Sequence, residues 1–452
     1  MEQDINMFDK REKNDKVNFS GEITGEKIFV DGLGLGMPLR SGFGDDYKKK
    51  TKNENNMTSQ RDDFTLYDQG VVKSPKFKPM DTYHQSMDDM FELSDNSMEV
   101  SSNNANAESY VSTYVNKFGL NILNLTLKSS KQQRFAVLCH GLYSLFGSLY
   151  MMSSESSKSD VYDFFGFPQR DSLHSGLVEL NKIMKKKMIN INSMLLFDNS
   201  INTRDNVVSY ISEVTPIHML SSEHYKKEHK LLNEYIAKVT NNNVLPISEK
   251  SVQNVKIICL SFGYVNPLMN KFKYVDIDTF LDVFDGNKYD VNMMVNYNVE
   301  CNYFEDSMNQ CMEMQNNDIG FGIILPKNNE LPSVSHSAYN SCVANYKKTL
   351  FDEIAVPMFS EKYKLRLTNF LSGVGLQDIF SELNISNMTK DNVYVSDVLL
   401  NLTVNVHNGC LKKNDNNYNP RILSSTKFLA NHTFVYYLRI VSTNTLLVIG
   451  VY

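Results

Sequence analysis

The densest set of chemically able side chains near the C-terminus lies in GCLKKNDNNYNP, residues 409–420. It holds one thiol (Cys410), two adjacent amines (Lys412 and Lys413) and a carboxylate (Asp415). The segment separates two apolar, strand-like runs, NVYVSDVLLNLTVNV and TFVYYLRIVSTNTLLVIGVY. It could simply connect them, or it could carry the activity of the chain. Other chemical groupings offer less. His224 and His229 are five apart and do not share a helical face, so a metal pair is not expected there. No Cys-x-x-Cys or mixed Cys/His spacing is present, which argues against zinc. Gly32, Gly34 and Gly36 in DGLGLGMP lack the helix opening that a phosphate-binding loop needs, because Pro38 and RSGFGDD follow. No Gly-x-Ser-x-Gly or His-Glu-x-x-His occurs, and no catalytic triad suggests itself. Neither an enzyme nor a cofactor is therefore expected.

The six cysteines divide by context. Cys139 on a helical apolar pattern and Cys259 in an apolar run read as core residues. Cys301, Cys311, Cys342 and Cys410 stand among polar neighbours and read as exposed thiols, candidates for disulfides between molecules.

Composition narrows the class. The chain has 452 residues, 42% hydrophobic and 22% charged, with a formal net charge of -6. Both signs are mixed along it, a poor field for nucleic acid. The N-terminal MEQDINMFDKREKNDKVNFS has no apolar signal core, and no run approaches the roughly 18 apolar residues of a membrane span. The expectation is a protein kept inside a cell, with reduced thiols and no membrane partner.

The elements that would position the 409–420 segment begin only after a long prelude. Residues 1–108 are rich in Asp, Asn, Lys, Ser and Gly, and read as an extended arm without its own core. Its scattered anchors are Ile28, Phe29, Phe64, Leu66, Met90, Phe91 and Leu93. From 109 to 452 the pattern is globular. Leu138, Leu142, Leu145, Phe146 and Leu149 recur at helical spacing, as do Leu232, Tyr235, Ile236 and Val239. VKIICLSFGYV reads as a fully buried strand, GFGIILP and FDEIAVPMF as further strands, and LRLTNFLSGVGLQDIF as a helix closed by Gly373 or Gly375. Helices early and strands late indicate an α+β fold.

Several of these stretches, in this order, resemble the serpins. VPMFSEKYKLRLTNFLSGVGLQDIFSELNIS, LNEYIAKVTNNNVLPI, VKIICLSFGYVNPLMNKF, GFGIILPK, VYVSDVLLNLTVNVHNG and the closing hairpin with Phe434 and Gly450 each match part of that family's pattern. The match departs at Cys139-His140-Gly141-Leu142, which stands where the family has Ser-Pro-x-Ser, and the long arm has no family counterpart. The resemblance implies helices around three β-sheets, and makes the segment after VYVSDVLLNLTVNV a reactive-loop hinge. An inhibitory serpin's hinge resembles Glu-Glu-Gly-Thr followed by small residues, because after cleavage it enters a β-sheet as a new strand. Here His407 and Asn408 replace the acidic pair, Gly409 is kept, and Cys410, Leu411, Lys412, Lys413 and Asp415 replace the small residues. Burying such charges unpaired costs several kcal/mol, so a serpin fold without the trap is expected.

Two functions follow from different classes: a structural, self-assembling protein with the arm as its connector, and an intracellular protease inhibitor. The hinge disfavours the second. In overall character and length the chain also resembles the occlusion-body matrix proteins (polyhedrins) of nudivirus-type viruses. That resemblance implies a protein crystal formed in the nucleus or cytoplasm of an infected cell, with copies of the chain, and virions, as partners.

Overall fold

A computed structural model describes residues 24–28, 107–129, 134–153, 164–187, 189–267, 272–328, 330–407, 411–412 and 426–452. The first described element, β1 (Thr24–Ile28), is followed after residue 106 by α1 (Ala107–Ser129), β2 (Phe135–Leu138) and α2 (Cys139–Met152). Then come α3 (Arg170–Lys186), β3 (Ile191–Asp198), α4 (Asp205–Ser212), β4 (Ile217–Leu220) and α5 (Tyr225–Val239). A strand-rich stretch follows: β5 (Ile257–Val265), β6 (Tyr274–Asp282), β7 (Asn287–Glu305), β8 (Asn309–Asn316) and β9 (Ile319–Pro326). The remainder comprises α6 (His336–Ala344), β10 (Lys347–Pro357), β11 (Phe359–Arg366), β12 (Val395–Val406), β13 (Leu411–Lys412), β14 (Lys427–Leu429), β15 (Val435–Ile440) and β16 (Thr445–Val451). The α+β reading from sequence holds.

Among the described residues the strands form two sheets. One has the order β1-β11-β12-β5-β3-β4. The other runs β13-β6-β7-β8-β9-β15-β16-β2, with β10 branching off β7 and carrying β14. Among the described residues no helix is long and apolar enough to cross a membrane.

The centre of the six-stranded sheet, β5 and β12, is covered on both faces, and the side-chain alternation of a strand sorts its residues between them. Ile257 and Cys259 of β5, with Val398, Leu400, Leu402 and Val404 of β12, belong to the main core. Ile258, Leu260 and Phe262 of β5 and Leu399 of β12 face the other way, where Leu232 and Ile236 of α5 cover them. A strand dry on both faces reads as a continuous apolar run rather than an alternating one, which is why VKIICLSFGYV was recognisable.

Beneath the sheet, α2 is buried almost all round, as expected of a helix whose apolar residues are not confined to one stripe. Its Gly141 permits close contact: a Cβ there would lie 2.3 Å from Ser261 Oγ and 2.9 Å from Ser193 Oγ. The helical spacing read from Leu138 begins one residue early, since Leu138 ends β2 and the helix opens at Cys139. In LRLTNFLSGVGLQDIF, Leu365 belongs to β11 and the α-helix is only Thr368–Leu371. The chain turns at Gly375, whose φ of 96° suits a residue without Cβ.

Three cysteines correct the sequence reading. Cys301, Cys311 and Cys342 are buried rather than exposed. Cys311 on β8 and Cys342 on α6 are disulfide-bonded to each other, with Cα atoms 6.0 Å apart, and Cys301 is buried outside that bond. None of the three is placed to link two molecules. Cys410 lies outside the described residues. Cys139 and Cys259 are buried in the core, as expected. The expectation of fully reduced thiols is likewise not met at Cys311 and Cys342.

Candidate functional site: the central seam and the segment that follows it

The site is where β12 meets β5. The two strands run parallel, from Val395 opposite Ile257 to Val404 opposite Val265, with one register irregularity between Val395 and Asp397. β12 is also paired antiparallel to β11, and β5 antiparallel to β3. The seam is therefore a single parallel contact between two antiparallel ladders. Parallel neighbours cannot be joined by a tight turn; here residues 266–394 make the connection.

Side chains on the outer face fasten the seam. Asn401 Nδ2 donates to the Leu245 carbonyl at 2.9 Å, and Thr403 Oγ1 to the Asn243 carbonyl at 2.5 Å. Both carbonyls lie in the loop after α5, so that loop bridges across β5 and holds β12. At the start of the seam, Lys256 N donates to Ser396 Oγ at 2.8 Å. Asp397 receives Thr368 Oγ1 at 2.5 Å and Arg366 Nε at 2.6 Å. Burial raises the Asp397 carboxyl above its usual range, against the lowering pull of Thr368 and Arg366. Asn401 begins an Asn-Leu-Thr sequon, but it is only 2% exposed, so in this fold its amide serves the seam.

The inner face is fastened differently. Ser193 Oγ of β3 donates to the Gly141 carbonyl at 3.1 Å and lies 3.1 Å from Ser261 Oγ of β5. Beside Gly141, His140 is buried, and its Nε2 has no hydrogen-bond partner among the described residues. Burial alone pulls its imidazole down to about 4.

Beyond the seam the chain turns to the other sheet. His407 is exposed at the end of β12. The next described residues, Leu411 and Lys412, pair parallel with Tyr274 and Val275 of β6. The chain is next described from Thr426, whose backbone N donates to Asp352 Oδ2 at 3.0 Å, and β14 then pairs with β10. Leu411 and Lys412 thus lie along the rim of the second sheet and not in the centre of the first. Asn408, Gly409, Cys410, Lys413 and Asp415 lie outside the described residues.

The burial of β5 and β12 on both faces sharpens the chemistry expected of an entering strand. Consecutive residues of such a strand point to opposite faces. Lys412 and Lys413 would place one amine in the main core and the other under α5, and no acidic residue lies on β5, while Asp397 of β12 already pairs with Arg366. Sequence reading singled out the segment after β12 and missed the fasteners of the seam. The asparagine and threonine inside the apolar run VLLNLTVNV were the available signal, since polar residues in a buried strand need partners. A second buried pair was also missed: Glu313 Oε2 lies 2.6 Å from Arg439 Nε, both nearly inaccessible, and Arg439 inside FVYYLRIV was its signal.

Of the arm anchors, only Ile28 falls on described backbone, at the end of β1 opposite Lys364 of β11. Phe29, Phe64, Leu66, Met90, Phe91 and Leu93 lie outside the described residues. Among the described residues no group of three or more His, Cys, Asp or Glu could hold a metal ion.

Comparison with known proteins agrees with this architecture. A family model described as serpin (serine protease inhibitor) matches residues 113–452. Serpin B5 of Xenopus tropicalis is 22% identical over 306 residues, spanning 61% of this chain and 78% of the relative. An uncharacterized serpin-like protein of Acanthamoeba polyphaga mimivirus is 24% identical over 304 residues, spanning 60% and 74%. Among solved structures, native protease nexin-1 with heparin superposes with a TM-score of 0.67 at 17% identity, covering 76% of this chain and 99% of that one. Maspin gives a TM-score of 0.67 at 15% identity, with 76% and 99% covered. At these identities the superpositions speak to fold alone.

Proposed function

The chain belongs to the serpin family, and from that premise we propose that it is a non-inhibitory member with a structural role, assembling with copies of itself. The observation that carries the reading is the composition of the segment after β12. Lys412, Lys413 and Asp415 stand where an inserting strand needs small, uncharged residues, and the seam that would receive them is dry on both faces. Each unpaired charge would cost at least several kcal/mol there. The arm supports the assembly half, because polar arms with spaced anchors suit segment exchange between neighbours. The specific setting proposed is the matrix of a viral occlusion body, an intracellular protein crystal that encases virions. The serpin-like relative from a virus is compatible with that setting.

Incubation with a panel of serine and cysteine proteases should yield cleavage and no covalent complex that survives denaturant. A complex at the mass of chain plus protease would overturn the non-inhibitory reading. Light scattering on the concentrated chain reads the assembly half: large particles are expected from the full chain, and a persistent monomer would contradict them.

A further inference from the structure

The six-stranded sheet ends at β1, which covers the outer edge of β11. Thr24 to Ile28 run parallel to Ser360 to Lys364 in continuous register, with Glu26 opposite Lys362. A bare strand edge presents unpaired N–H and C=O groups to any extended segment, so this edge is a docking position and β1 is a segment that fits it. The inward positions of β11 (Glu361, Tyr363 and Leu365) are buried, whereas Ser360, Lys362 and Lys364 stay partly open. Burial of one face anchors β11 in the sheet, and its outer edge is the one that pairs with β1.

Residues 29–106 connect β1 to α1. Fully extended they could span on the order of 250 Å, so the connection can reach the same edge on another copy. Backbone pairing and register are the same in either case. A tether holds its own end at an effective concentration near millimolar for short linkers and lower for long ones. Crowded copies compete with a tether of this length, and dispersed copies do not.

We infer that the β11 edge takes the Thr24–Ile28 strand of a second copy when the protein is concentrated. β1 is then an exchanged strand, and each molecule both gives and receives one. This rests on the self-assembly reading and names the contact that would carry it.

The test uses two full-length chains with different tags, both with Cys410→Ser to remove the loop thiol. One carries Glu26→Cys and the other Lys362→Cys. Neighbouring strands lie about 4.8 Å apart, within the Cα range a disulfide accepts. Mixed at concentrations that produce particles and then oxidised, the two should form a reducible product carrying both tags. Hundredfold dilution before oxidation should reduce that product at least tenfold. The absence of a two-tag product overturns the exchange. If a single chain carrying Glu26→Cys and Lys362→Cys then closes its own bond, β1 stays on its own sheet; if it does not, β1 does not dock at this edge. Scattering from the same samples separates the two readings: particles without a two-tag product leave assembly standing and remove exchange, while a two-tag product whose size stays at a few copies keeps exchange and removes the larger assembly.

Discussion

The six-stranded sheet treats a strand differently at its centre and at its rim. At the centre, β5 and β12 pair with each other, apolar side chains cover both faces, and Asn401 and Thr403 tie β12 to the loop after α5. At the rim, β11 is buried on one face only and accepts β1 by backbone pairing. Tolerance differs accordingly. A strand entering the centre must suit two dry faces and displace an existing ladder. A strand added at the rim must only supply backbone groups in register. On the function proposed above, the lysines of the 409–420 segment do not suit the first requirement, whereas Thr24–Ile28 meets the second.

The largest expected effect comes from placing a charge in the seam. Val404→Lys should cost about 3–5 kcal/mol or more in denaturant unfolding, since its amine has no partner in the main core. At the rim, Lys362→Leu should stay within about 0.5 kcal/mol. Equal costs at the two positions would break the contrast.

A smaller effect should appear in acid, beneath the centre. The His140 imidazole is held at about 4, below its usual 6.5, by burial. The unfolded chain binds this proton more readily, so the contribution is fully present above pH 6.5 and is lost as pH falls from 6.5 towards 4. The loss should be on the order of a few kcal/mol, and His140→Phe should flatten the slope of stability against pH in that window. An unchanged slope would remove His140 from the description of the centre.

Smaller again are the fasteners. Asn401→Ala and Thr403→Val should each cost about 1–3 kcal/mol by leaving a carbonyl of the loop after α5 without its donor. Because both act on one loop, the double variant should cost less than the two added together. Strict additivity would mean that the loop does not act as one strap.

The two regions were not equally legible in the sequence. The centre could be read because a strand buried on both faces is apolar throughout, and the charges of the following segment stood out against it. The strap was hidden, since which carbonyl meets Asn401 depends on a loop far away in the chain. The cysteines misled for a related reason. Cys311 in NQCMEMQN has polar neighbours, yet the middle of β8 is buried, Glu313 included, because Arg439 neutralises that carboxylate from β15. Cys342 was more readable, because it shares a helical face with the buried Tyr339. Its partner, 31 residues away in sequence, was not. At the rim, composition suggested an arm that the described residues do not test, and the register of Thr24–Ile28 on β11 depends on an edge that exists only once the sheet has formed.

The most direct test of a centre closed to a new strand is the melting temperature before and after a single protease cut within residues 409–428. With the seam shut, the nicked chain should melt within a few degrees of the intact one. A second chain, in which Cys410, Leu411, Lys412, Lys413, Asn414 and Asp415 are replaced by Ala or Thr, controls for the fold, and its melting temperature should rise after cleavage if charge and bulk are the barrier. A rise of tens of degrees in the unaltered chain after cleavage would show that the segment enters the sheet, and would contradict the closed centre.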